Sequence, residues 1–323
     1  MDLSGAFQRS CVLFAASDAG VFAWLAEHPD SAVGPVCEAC GLDARAGRLL
    51  LDACAAIGLL EKRDDRYRNA PDVDAFLVPG RPGDLSRAIR YNRDVLPAWS
   101  RLPDLLRTGK PVEPPSLHLG DDPQRTRAFV LAMHGRALAI GRAVVPQLHL
   151  ATAGRLLDIG GGSGAYSILA AQAHAGLTCT LIDLPGVAAV ARELVAEADL
   201  GERIAVVDGD YHHAAFPAGQ DAVLLFGMLH QEAPAAILDL LRRAHAALNP
   251  GGRVYVLDLM TDASRCHPPF SALFAVNMAL TTENGWVFSD ADILGWMHEA
   301  GFARPSCRPL PPPMPHWLVQ GER

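Results

Sequence analysis

Arg155-Leu156-Leu157-Asp158-Ile159-Gly160-Gly161-Gly162-Ser163-Gly164 decides the reading of this chain. An apolar strand ends near Asp158 and gives way to glycines at alternate positions, Gly160, Gly162 and Gly164. Glycine admits positive φ and has no Cβ to hold a ligand away. The run that follows, Ala165–Ala173, reads as a helix whose N-terminal amides face the loop. Such a loop lets a nucleotide-bearing cofactor touch backbone.

Two cofactor classes satisfy the loop. Gly160-x-Gly162-x-x-Ala165 fits the dinucleotide pattern G-x-G-x-x-A, and Asp183 follows at about the spacing of a ribose-binding acid. Two acids favour a different ligand: Asp158 directly ahead of the glycines, and Asp210 after a third apolar segment, Ile204–Asp208. A carboxylate beside the cradle repels a pyrophosphate in a partly dry site. S-adenosylmethionine carries no phosphate, and its ammonium and sulfonium are cationic. Acids at the loop, at the ribose and near the adenine suit it better.

A chain of 323 residues suggests about two domains with their own cores. The net charge of -8 argues against a polyanionic partner such as nucleic acid. No uninterrupted apolar run approaches membrane-spanning length. The segment Met1–Trp24 lacks a basic n-region and is broken by Gln8, Arg9, Ser10 and Asp18. The expectation is a cytoplasmic protein without a membrane partner. Seven cysteines, an odd number, suit reduced thiols better than a disulfide framework. Cys37-x-x-Cys40 lacks further ligands at compatible spacing, and His212-His213 are adjacent rather than spaced for one ion, so no metal is expected.

Residues 6–28 have helical period, and three shorter helical stretches lead to Leu60. Glu61–Asn69 suits the turn of a two-stranded wing. Helix-turn-helix plus wing invites a DNA-binding reading. Its would-be recognition helix, 44–60, is mostly apolar, with Arg45 and Arg48 as its only bases, and buries itself against protein instead. The Pro- and Gly-rich stretch 107–123 reads as an ordered loop, and 124–147 as a long helix. Strand and helix signals then alternate, with strands near 155–159, 178–183, 204–208, 222–226 and 253–259. Such alternation demands a parallel sheet covered on both faces. Two strand candidates after Gly301 suggest an antiparallel closing hairpin. The expected domains are 1–110, a connecting loop and helix at 111–150, and 151–323.

Together with the glycine loop, Ile182-Asp183-Leu184-Pro185, Gly209-Asp210-Tyr211, Met228-Leu229-His230 and Leu248-Asn249-Pro250-Gly251-Gly252-Arg253 resemble the plant-type, caffeate-like family of S-adenosylmethionine-dependent O-methyltransferases. The resemblance spans nearly the whole chain. It implies an α/β fold: a Rossmann-like class I methyltransferase sheet, mostly parallel with a closing antiparallel hairpin, and an N-terminal, mostly helical winged-helix domain that pairs two subunits into a homodimer. Carried over by position, it implies that Asp158, Gly160, Gly162 and Gly164 lie at the cofactor's methionine end, that Asp183 binds the ribose, and that Leu184, Asp210 and Tyr211 surround adenine. His230 falls on the catalytic base and Asp258 on the acid that orients it. Met133, Met278 and Trp286 fall on the substrate side. The chain departs from the family in two places: Gln231-Glu232 follows the histidine where Asp-Trp is usual, and Val287 stands where a second acid flanks the base.

The resulting expectation is a small-molecule methyltransferase acting on a hydroxyl of an aromatic or polyketide-like acceptor. The sulfonium supplies an activated methyl group, the protein aligns the reactants, and a neutral imidazole takes the hydroxyl proton. Three other readings stay open. An S-, N- or C-methyltransferase needs no hydroxyl activation and tolerates Val287. A relative could retain S-adenosylmethionine while catalysing hydroxylation, decarboxylation or a rearrangement. A non-enzymatic regulator would use the winged domain on DNA, against the acidic balance of the chain.

Overall fold

The computed structural model describes residues 2–113, 122–312 and 314–323. Part of the expected loop at 107–123, namely 114–121, lies outside the described residues, as does Pro313. The chain divides into two compact units, one ending at Leu96 and one running from Pro97 to Arg323.

The first unit is mostly helical. The stretch expected as one helix over 6–28 is two, Asp2–Asp18 and Val21–Glu27, meeting at a 57° bend. Gly20 stands at the break with φ 75°, a left-handed conformation that an α-helix cannot pass through, while Val21, Phe22 and Leu25 continue the apolar stripe into the core. Two helices follow rather than three, Val33–Ala39 and Ala44–Ala56, with a two-residue strand β1, Ser31–Ala32, before them. Asp43 caps the second helix by accepting from the backbone N–H groups of Arg45 and Ala46. The expected wing is a hairpin of β2, Leu60–Arg63, and β3, Arg66–Asn69, and β1 pairs with its outer edge. Its two-residue turn, Asp64-Asp65, has both φ values positive, as twist-matched hairpin turns require. Arg48 is tied to Asp65 at 2.7 Å, so one of the two bases of the would-be recognition helix is already paired within the unit.

The second unit is built on seven strands: β4 (Arg155–Ile159), β5 (Thr178–Asp183), β6 (Ile204–Asp208), β7 (Gln220–Phe226), β8 (Leu248–Leu259), β9 (Ala303–Pro309) and β10 (His316–Glu322). Their order is β6-β5-β4-β7-β8-β10-β9, with the first five strands parallel and β10 antiparallel to both neighbours. Strand β7 reads as a continuous apolar run, Ala222–Phe226, because helices cover both faces of the sheet. Alternate residues divide between two cores. Leu157, Val223, Leu225 and Val256 pack with Ile237, Leu240 and Leu241 of the helix Pro234–Ala247, whereas Leu156, Leu224, Tyr255 and Leu257 pack with Val144, Ala170 and Ala171. The chain leaves β4 toward β5 and β6 on one side and returns on the other side with β7 and β8. The carboxyl ends of β4 and β7 therefore flank a crevice of the kind that binds ligands in open α/β sheets.

One helix has membrane-spanning length, although its apolar run is interrupted by charge. Pro123–Gln147, 25 residues, contains an 18-residue window of mean hydropathy 1.4 and so passes a length-and-composition test for a membrane span that the core helix of a soluble protein passes as well. Arg136 and Arg142 interrupt the run in the sequence. Thr126, Val130, Ala132, Gly141 and Val144 of this helix are buried, and a Cβ at Gly141 would lie 2.6 Å from Leu169 Cδ1, so it packs closely on the helix Ala165–Ala173.

Candidate active site

The glycine loop leaves β4 and enters the helix Ala165–Ala173 with Gly160, Gly162 and Gly164 at φ 63°, 57° and 76°. A Cβ at Gly161 would lie 2.6 Å from Leu181 Cγ and 2.9 Å from Asp158 Cγ, so the loop is pressed onto β5 and onto Asp158. A Cβ at Gly162 would meet nothing within 4 Å: the loop opens there onto free space. At Gly160 the loop is close to Met228 and Tyr211, which a Cβ there would approach to 3.2 and 3.5 Å.

Two carboxylates brace the loop. Asp183, at the end of β5, accepts from Gly162 N at 2.7 Å through Oδ2 and from Leu184 N at 2.7 Å through Oδ1. Asp158 is fully buried beneath the glycines; Oδ2 accepts from Ser167 Oγ at 2.6 Å, and Oδ1 has no hydrogen-bond partner among the described residues. Burial pushes both carboxyls up to about 6, against which Ser167 lowers Asp158 and the two amides lower Asp183. Anionic groups with unspent acceptor capacity beside an open backbone cradle fit a cationic, hydroxyl-bearing nucleoside, and they fit a pyrophosphate poorly.

The remaining expected cofactor residues, Leu184, Asp210 and Tyr211, are half-buried near this crevice. Leu184 precedes the helix Pro185–Glu197, and the Asp210 side chain accepts from His212 N at 2.9 Å. Tyr211 donates its phenol proton to Glu232 Oε1 at 2.7 Å.

His230 sits in the one-turn 3₁₀ segment Leu229–Gln231 after β7, and Asp258 near the end of β8. The His230 Nδ1 lies 2.7 Å from Asp258 Oδ1, and the same carboxylate accepts from the backbone N–H groups of His230 at 3.2 Å and Leu259 at 2.7 Å. Asp258 is 1% exposed. A buried carboxylate held by two amides fixes the proton on Nδ1 and leaves the Nε2 lone pair free to accept. Phe274, from the helix Pro269–Thr281, meets the imidazole edge-on at 5.0 Å between ring centroids.

The structure brings Trp286 to this histidine. Trp286 N donates to His230 O at 2.9 Å, and its indole Nε1 to Glu232 O at 2.8 Å. A capping box between Ser289 and Asp292 fixes the start of the next helix and so the end of the loop that carries Trp286. Met278 is buried on the helix Pro269–Thr281. Met133 is half-buried on the helix Pro123–Val144, next to His134, whose Nδ1 lies 2.9 Å from Ser163 Oγ of the glycine loop. Val287, at the expected acid position, is buried, and Glu283 is exposed in a cleft with Gln231 and Glu232.

His316 was not singled out from the sequence. The antiparallel register sets Trp317 opposite Asp258 and His316 opposite Leu259, within electrostatic reach of Asp258, His230 and Arg136. Burial lowers His316 to about 4, which keeps it neutral, and its Nδ1 has no partner among the described residues. No local spacing joins it to His230; strand pairing alone does.

The fold and the site define an α/β enzyme domain with a nucleoside cradle beside a histidine–carboxylate pair. The family model of the O-methyltransferase domain matches residues 115–303, and that of the O-methyltransferase dimerisation domain matches residues 1–79. The chain is 32% identical to 3-hydroxy-5-methyl-1-naphthoate 3-O-methyltransferase of Streptomyces sahachiroi, over 93% of this chain and 88% of that one. It is 31% identical to the tetracenomycin polyketide synthesis 8-O-methyl transferase of Streptomyces glaucescens, over 94% and 90%. The solved structure of human N-acetylserotonin methyltransferase in complex with S-adenosylmethionine superposes with a TM-score of 0.88 at 25% identity, over 100% of this chain and 96% of that one. The chain belongs to the O-methyltransferase family. It is an S-adenosylmethionine-dependent methyltransferase, with a dimerisation domain at its N-terminus.

With Asp158 and Asp183 placed beside the cofactor, as the resemblance implies, a bound sulfonium would favour their ionised forms, and affinity for S-adenosylmethionine is expected to fall as pH drops through about 6. S-adenosylhomocysteine, which lacks the sulfonium charge, should lose less. Calorimetry at pH 5 and 7 checks this, and equal losses for the two ligands would contradict it. In the ligand-free protein the folded values lie above the ordinary 3.8, so ionisation costs stability: the contribution of these groups declines as pH rises from 3.8 to about 6 and is level above that.

Proposed function

We propose that the chain transfers the methyl group of S-adenosylmethionine to a hydroxyl of a small aromatic or polyketide-like acceptor, with His230 as general base and Asp258 as the acid that orients it. The observation that carries this reading is the 2.7 Å contact between His230 Nδ1 and the buried, doubly amide-anchored Asp258. That contact leaves Nε2 to accept the hydroxyl proton, and Asp258 stabilises the imidazolium that results. When bound, the cofactor supplies a methyl carbon activated by its sulfonium. Asp183 would hold the ribose hydroxyls, Gly160, Gly162 and Gly164 with Asp158 the methionine end, and Leu184, Asp210 and Tyr211 the adenine. Met278 and Trp286, joined by Phe274, would line the acceptor side, with Met133 on the neighbouring helix. The O-methyltransferase relatives that act on a naphthoate and in tetracenomycin synthesis support a fused-ring or phenolic acceptor.

A second reading, methylation of a thiol, amine or carbon, is favoured by one observation: a buried valine, Val287, stands at the position of the expected second acid. A screen of isotope-labelled methyl transfer across phenols, thiols, amines and carbon nucleophiles, read by mass spectrometry, separates the two. Label on phenolic oxygen is expected; label only on sulfur, nitrogen or carbon would overturn the hydroxyl reading.

The working form we propose is a homodimer joined through the N-terminal domain. Leu3, 90% exposed, and Phe7, 58% exposed, on the first helix offer apolar surface within the matched dimerisation domain. Its free thiols and acidic balance support a cytoplasmic enzyme that acts on small molecules rather than on nucleic acid or membrane.

A further inference from the structure

Glu232 stands where the resemblance calls for tryptophan, and it is 6% exposed. A carboxylate buried to that extent needs hydrogen bonds to offset lost hydration. Tyr211 supplies one at 2.7 Å, and His212 Nε2 lies 3.3 Å from the same oxygen. The loop that carries both is clamped from outside by Arg243, which donates to the carbonyls of Tyr211 at 2.7 Å, His212 at 3.2 Å and Ala214 at 2.5 Å. The backbone at Tyr211 is thus already fixed. What remains to be set is the direction of its ring, and the Glu232 carboxylate is the group that sets it. Burial and the adjacent Glu232 both raise the Tyr211 phenol far above its ordinary range, so it stays protonated and donates.

We propose that Glu232 is a positioning residue for the cofactor: by holding the Tyr211 hydroxyl it seats the ring against Gly160 as a wall of the nucleoside cradle. On its other side the Glu232 carbonyl receives the Trp286 indole N–H, so one residue braces the cradle wall and the loop beside His230. Among the described residues its carboxylate is held by Tyr211 and His212 of the loop after β6, and its loss should therefore appear in cofactor binding. The inference rests on the reading of Tyr211 as part of the cradle.

The test is calorimetric binding of S-adenosylmethionine and S-adenosylhomocysteine to the full chain carrying Tyr211→Phe, Glu232→Gln, Glu232→Ala, or Tyr211→Phe with Glu232→Ala. Loss of a buried hydrogen bond is expected to raise Kd about tenfold in Tyr211→Phe and in Glu232→Ala. Glu232→Gln keeps an oxygen that can accept from the phenol and should recover most of the affinity. The double variant should bind no more weakly than Glu232→Ala, because both changes remove one bond. In turnover the loss should raise KM for the cofactor and leave KM for the acceptor unchanged. Losses that multiply in the double variant, or a lower melting temperature with Kd unchanged, would overturn the proposal. Tyr211→Ala separates the two levels: if it leaves Kd unchanged, the cradle reading of Tyr211 fails as well, and if it weakens binding while Glu232→Ala does not, only the role of Glu232 fails.

Discussion

His230→Ala is expected to lower kcat by about 10²–10⁴-fold, the usual contribution of a positioned general base. Cofactor affinity should change by less than about twofold, because the imidazole is asked to act on the acceptor proton and not on the nucleoside. The fold should survive the change. Asp258 keeps the backbone N–H groups of residues 230 and 259 as donors, so removal of the ring does not strand a buried carboxylate. Asp258→Asn should cost less: the ring keeps a partner but loses the charge that stabilises its protonated form. Steady-state kinetics with a phenolic acceptor measures both. Near-normal turnover of His230→Ala at neutral pH would point to an acceptor that arrives already nucleophilic.

Asp183→Ala should weaken S-adenosylmethionine binding by roughly 1–3 kcal/mol, the cost of leaving buried polar groups unpaired. The side chain has two tasks here. It would accept from the ribose hydroxyls, and it already receives the N–H groups of Gly162 and Leu184, so its removal also loosens the glycine loop at the point where the cradle opens. Asp183→Asn keeps one acceptor oxygen and should fall between the wild type and Asp183→Ala. Calorimetry distinguishes the three proteins. An unchanged Kd in Asp183→Ala, or tight binding of NAD by the wild type, would contradict the cofactor geometry.

Features carried by adjacent residues were legible in the sequence. The glycine loop and the apolar strands that must pack on both faces follow from local backbone preferences, whereas the wing was legible only as the polar stretch 61–69, of which Asp64-Asp65 alone is turn and the rest is strand. His230 and Asp258 were legible because each lies where a strand ends at the crevice and because the surrounding motifs match a family. The break at Gly20 was not legible from periodicity, since Val21, Phe22 and Leu25 keep the apolar phase across the bend. The helix Pro123–Gln147 was legible as the long helix 124–147, but which of its faces is buried was not. His316 reaches the site only through the register of β10 on β8, and Glu232 meets Tyr211 only because the turn after β7 folds against the loop after β6. Such contacts are set by tertiary packing, and no spacing rule in a single sequence encodes them.

The most direct test of the account is the pH dependence of kcat with a phenolic acceptor, measured for the wild type and for His230→Ala at saturating cofactor. The wild-type rate should rise with pH through a single ionisation and then level. In the variant that inflection should vanish, the rate following only the acceptor's own ionisation. The same inflection in both proteins, at comparable rates, would contradict the assignment of His230 as the base.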